Sequence, residues 1–154
     1  PNSGACYRRR DYLELPGFPN EFFHAYEEPD YALQVIDAGK QVLFTPEITI
    51  RHHYSPVERS EIRTHQRHAR NELWSALLRC PFPWVLFMIP WRIGSQARYA
   101  LKRGLGWLVR EPAWWWEALK GAPRMIKKRS PVSQEAYRTW LKLLRNPVEF
   151  DFDR

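Results

Sequence analysis

Cysteine is scarce in this sequence. Its 154 residues include two, Cys6 and Cys80, far apart. That pattern excludes a disulfide framework and a cysteine-built zinc cluster, and it favours a reducing compartment. No internal repeat and no low-complexity linker interrupts the chain. Long apolar runs are also missing. The strongest, residues 82–91, reads Phe-Pro-Trp-Val-Leu-Phe-Met-Ile-Pro-Trp. It is about half the length of roughly 20 residues that a spanning helix needs. Acidic residues are in deficit, 17 Asp+Glu against 24 Lys+Arg, for a net charge of +7. An anionic partner is therefore expected. The opening Pro1-Asn2-Ser3-Gly4 carries no signal-peptide pattern and reads as the interior of a protein, so the chain is expected to be the C-terminal piece of a longer one.

What is present divides into two halves. Residues 1–57 hold five basic and eight acidic residues; residues 58–154 hold the other 19 basic and 9 acidic ones. All eight Trp also fall in the second part. The first half is expected to carry a site and the second to form a basic, Trp-rich helical extension.

In the first half, residues 2–9 predict a strand, and Pro16-Gly17-Phe18-Pro19-Asn20 a loop. Pro29 suits the first turn of a helix that runs to about Ala38, with Ala32, Val35 and Ile36 as its apolar stripe and Gly39 at C′. Two β-rich runs follow, 41–45 and 47–52, split by Pro46. Alternation in the second puts Ile48, Ile50 and His52 on one face and His53 on the other. Glu27 and Glu28 stand just before the helix, where its positive end favours ionised carboxylates. Such a carboxylate can take a proton from a hydroxyl. The same acids also serve as ordinary first-turn caps, and a strand-end His also serves as a packed or solvated ring.

The order of these pieces resembles the C-terminal half of the catalytic domain of family 2 glycosyltransferases, which have the GT-A fold. The matching residues are Gly4-Ala5, Arg8-Arg9, Gly17-Phe18, Phe22-Phe23, Glu27-Glu28-Pro29-Asp30, Gly39, Pro46 and His52-His53. The resemblance implies an α/β fragment: a partial GT-A sheet of two to three short strands with a helix, followed by a mainly α-helical region. It implies that Glu28 is the general base of an inverting sugar transfer. Glu27 would orient the acceptor or the base, and Asp30 would support the loop. It further implies that His52 completes a divalent metal site (Mg or Mn) that holds a nucleotide-sugar donor. Departures are Glu for Asp at the base position, Pro16 for a Gly, Pro19 for an Asp, and Gln34 for an Arg. The nucleotide-binding half and its Asp-x-Asp motif would lie upstream, so the resemblance implies that the isolated chain is inactive.

The second half opens with a long helix from Pro56 to about Arg79. His65 and His68 lie one turn apart on it and read as a solvated face, with no convincingly placed acid or Cys to complete a metal set. Residues 82–91 read as a buried core segment or an interfacial one. Trp107, Trp114, Trp115 and Trp116 suit a lipid headgroup zone, and Lys102-Arg103, Arg124 and Lys127-Lys128-Arg129 suit anionic phosphates. Residues 133–144 predict a last helix, capped by Ser133, with Trp140, Leu141 and Leu144 on its stripe.

The expected partners are a nucleotide-sugar, a glycan or lipid-linked acceptor, and the cytoplasmic face of the cell membrane, met peripherally. Nucleic acid is not expected, since no recognised module fits. The alternatives are a non-catalytic membrane- or partner-docking module and a single-strand nucleic-acid binder.

Overall fold

The computed structural model describes residues 4–43, 49–51, 53 and 60–147; it is 70% helical and has no strand among them. Its helices are α1 (Arg9–Glu14), α2 (Glu27–Asp37), α3 (Glu61–Arg79), α4 (Trp84–Arg103), α5 (Leu105–Leu108), α6 (Glu111–Lys127) and α7 (Gln134–Arg145).

The expected α/β fragment with a partial GT-A sheet is thereby corrected to an all-helical chain. Arg9 begins α1 instead of ending a strand, and residues 41–43 and 49–51 lie exposed outside any regular element. The rest of the two expected strands, His52 included, lies outside the described residues. The physical reason is the backbone. A lone strand leaves its N–H and C=O groups unpaired, and the described residues supply no neighbouring strand. Tyr7 is held by rings instead: it meets Phe18 at 6.0 Å and Tyr31 at 5.3 Å, edge-on.

Several local signals act as expected. α2 ends at Asp37 with Ala38 as its C-cap, and Gly39 takes φ +70°. The Gly39 and Lys40 N–H groups donate back to the Ile36 and Val35 carbonyls, both at 3.0 Å, which closes a Schellman turn. Ser133 caps α7, its hydroxyl accepting from the Ala136 N–H at 3.1 Å. α3 starts later than Pro56 suggests: Ser60 is its cap, accepting from Arg63 N–H.

α3 is the central post. Arg70 and Trp74 face α6, Glu72 faces α4, and Ser75 and Arg79 face α2. At about 100° per residue the direction of α6 lies on the opposite side of α3 from those of α4 and α2, which are roughly 40° apart. Part of the polar character of α3 is thus turned inward, through Glu72, Ser75 and Arg79, while Arg63, Arg67 and His68 stay exposed. α7 packs beyond, where Tyr137 and Trp140 join Leu33, Cys80 and Val132 in one apolar cluster.

The α3–α6 contact is close enough to require glycine. A Cβ on Gly121 would fall 2.2 Å from the Trp74 ring. Trp74 cannot easily yield, because its Nε1–H donates to the Ala118 carbonyl at 3.0 Å and Arg70 lies 4.5 Å over its ring. Gly121→Ala is therefore expected to destabilise by about 1–3 kcal/mol through overpacking, despite the advantage of Ala over Gly of about 1 kcal/mol in a helix. Urea unfolding checks this; a midpoint at or above the parent value contradicts it.

Candidate functional site

The acidic start of α2 is built on an unusual turn. Phe23 has φ 58° and ψ −52°, and the His24 N–H donates to the Phe22 carbonyl at 2.6 Å, a γ-turn of the strained, positive-φ kind. Ala25 and Tyr26 follow at φ 73° and 66°. Non-glycine residues held so cost on the order of 1–3 kcal/mol each. Asn71 of α3 holds this turn. Its buried Nδ2 donates to the carbonyls of Phe22, His24 and Ala25 at 3.0, 2.9 and 2.7 Å. Strain kept in place by a dedicated side chain marks a segment whose shape is used.

Glu27 and Glu28 emerge from this turn. They lie within the first turn of α2, half-buried, instead of preceding the helix. Glu27 Oε2 is buried with no hydrogen-bond partner among the described residues. The charge of Glu28 is felt at two rings. Burial first, and then Glu28, push the Tyr7 hydroxyl pKa up. Part of the His68 ring is exposed, yet packing holds its pKa below the usual histidine value, against the opposing pull of Glu72 and Glu28.

Asp30 is a different kind of acid. It is fully buried and paired with Arg79 of α3 at 3.3 Å. It also accepts from Ser75 Oγ at 2.7 Å and from Gln34 Nε2 at 2.8 Å. Gln34 Nε2 donates in addition to the Gly17 carbonyl at 3.0 Å. Asp30 thus locks α2 to α3 and, through Gln34, to the 16–20 loop. Every oxygen of Asp30 is committed, so it has no free valence for a metal.

His53 is exposed, and His52 lies outside the described residues. Among the described residues no three His, Cys, Asp or Glu side chains come together as a metal set.

Sequence reasoning missed a second polar constellation. His65, expected on a solvated face, is buried, and its Nε2 lies 2.7 Å from Glu111 Oε1 of α6. Glu111 Oε2 accepts from Trp114 Nε1–H at 2.8 Å. With Glu111 as carboxylate, a neutral His65 carries its proton on Nε2, so Nδ1 is its acceptor atom. The ring stacks on Tyr99 at 5.2 Å. Only the Glu-Pro pair that opens α6 could have signalled this partner, 46 residues away.

The outward surface is apolar in an organised way. Residues 84–91 begin α4, and the run 82–91 is not a buried core segment: Phe82, Phe87 and Trp91 are each 68% exposed. α6 has three faces. Glu111, Trp114, Ala118 and Met125 point inward; Trp115, Leu119 and Ile126 form an exposed apolar stripe; Lys120, Arg124 and Lys127 lie beside that stripe, and Lys120 Nζ sits 5.0 Å over Trp116. No helix among the described residues is long and apolar enough to cross a membrane.

Compared with known proteins, the chain matches no family model, no curated protein and no solved structure.

Proposed function

We propose that this chain is the acceptor-side, membrane-facing piece of an inverting glycosyltransferase. In this reading Glu28 removes the proton from the acceptor hydroxyl as that oxygen attacks the sugar of a nucleotide-sugar. Sequence upstream supplies the nucleotide-binding half, and the acceptor is a lipid-linked or cell-envelope glycan. The observation that carries the reading is the strained turn at residues 22–26, fixed by Asn71, which presents Glu27-Glu28 on the positive end of α2. Asp30, two residues on, is spent on rigidity, so the acids divide into a positioning one and two that remain at the helix start. The test is sugar transfer by the full-length protein. Transfer lost with Glu28→Gln supports the reading, and transfer undiminished by it counts against it.

The exposed stripe of α6 supports a peripheral location on an anionic bilayer. Apolar insertion and basic charge on one helix are the two signals that stable anchoring needs. Each basic residue near such a surface is worth about 1 kcal/mol. In co-sedimentation the chain is expected to pellet with vesicles containing phosphatidylglycerol and to remain in solution with pure phosphatidylcholine. Lys120→Glu with Lys127→Glu should weaken binding by at least about 30-fold, as the loss of two such contacts requires. Equal binding to both vesicle types, or by the double variant, contradicts the membrane assignment.

A further inference from the structure

A cavity of about 600 Å³ opens between α3, α4 and α5. That is the size of a small-molecule site. Its walls contain flat rings and a few polar groups: Tyr99 and Trp107, 6.2 Å apart and edge-to-face, with the His65 imidazole stacked on the first. Glu111 behind His65 takes Nε2 and fixes the ring, which leaves Nδ1 as its second polar atom, an acceptor in the neutral ring and a donor in the imidazolium. Gln96 spends its amide N–H on Glu72, which leaves its carbonyl oxygen as a second acceptor. Ser95 and Thr64 add hydroxyls.

The charges select among ligand classes. Arg103 and Glu61 line the same cavity and pair at 3.7 Å, so they offset each other. An anionic ligand would have to break that pair and face Glu61, and a cation would face Arg103. A purely apolar ligand would cover the Gln96 carbonyl oxygen and the Ser95 hydroxyl without giving them partners, at a cost of about 1–3 kcal/mol for each such group. A neutral polyol meets none of these penalties. The C–H face of a pyranose packs on an aromatic ring, and its hydroxyls, which both donate and accept, can pair with His65 Nδ1 in either form.

The location fits as well. His68 is part of the wall, and Tyr26, the residue before Glu27, meets the His68 ring edge-on at 5.1 Å. The cavity therefore adjoins the acidic start of α2.

We infer that this cavity binds a neutral sugar unit, the acceptor end of the glycan that Glu28 activates; the assignment as acceptor rests on the transferase reading, and the sugar binding does not. Saturation-transfer NMR on the chain with maltose, cellobiose and N,N′-diacetylchitobiose tests it. At least one disaccharide should receive saturation. Trp107→Ala should weaken that binding by about ten-fold, the worth of one good ring contact. Ser95→Trp, which fills the cavity from an exposed position without deleting a contact, should abolish it. No saturation of any disaccharide, or saturation undiminished in both variants, overturns the proposal. So do protein chemical-shift changes on adding inorganic phosphate with none on adding sugar, which would make this an anion site. The readout is separate from turnover. Sugar binding with turnover indifferent to Glu28→Gln sinks only the base assignment; turnover lost in that variant without sugar binding sinks only the cavity.

Discussion

Asp30→Ala is expected to cost about 3–5 kcal/mol of folding stability, the range for removing one partner of a buried ion pair. That is a large part of the roughly 5–15 kcal/mol that holds a domain together. The cost has a specific origin. Asp30 is fully buried, and its loss strands the Arg79 guanidinium, itself 6% exposed, with no carboxylate in reach. Ser75 Oγ and Gln34 Nε2 lose their acceptor at the same time. The pair joins α2 to α3, so the variant also frees the helix that carries Glu27 and Glu28. Much of the loss should return when Arg79→Met is added to Asp30→Leu, because the desolvated charge is then gone from both sides. Urea unfolding of the single and double variants measures this. A single variant within about 1 kcal/mol of the parent, the range of a surface pair, shows that the bond contributes little.

Much of the local grammar was legible in the residues. The glycine after α2, the serine before α7 and the apolar stripe through Trp140 act over three or four residues, so their meaning does not depend on distant chain. The strands were not legible in this sense. Alternation through Ile48, Ile50 and His52 describes a surface that needs a neighbouring strand, and the described residues provide none. α3 was misread for the opposite reason. His65, Asn71, Glu72, Ser75 and Arg79 look like part of a wet face, and each is buried because a partner arrives from 20 to 49 residues away. Arg92, Gln96 and Asp30 carry no mark in the sequence that names those partners. Residues 82–91 were legible as apolar, but not as the exposed start of a 20-residue helix. Of the candidate site, the acidic pair and its helix could be read from spacing. The γ-turn that presents it could not, since Phe23, Ala25 and Tyr26 are residue types that avoid positive φ.

Glu28→Gln is expected to remove most of the transfer activity of the full-length protein. A positioned general base contributes about 10²–10⁴-fold to rate, and Gln keeps the size of the side chain while giving up the proton-accepting charge. The loss should fall on turnover. Donor binding should stay near normal, because the nucleotide-binding half lies elsewhere in this account. Stability should also stay near normal, since Glu28 is half-buried and outside the Asp30–Arg79 lock. The most direct measurement is therefore the rate of sugar transfer at saturating donor for the full-length parent and its Glu28→Gln variant, with unfolding midpoints recorded for both. Turnover is expected to fall by about 10²–10⁴-fold at an unchanged midpoint. Turnover within a few-fold of the parent, or a full-length parent that transfers no sugar from any nucleotide donor, contradicts it.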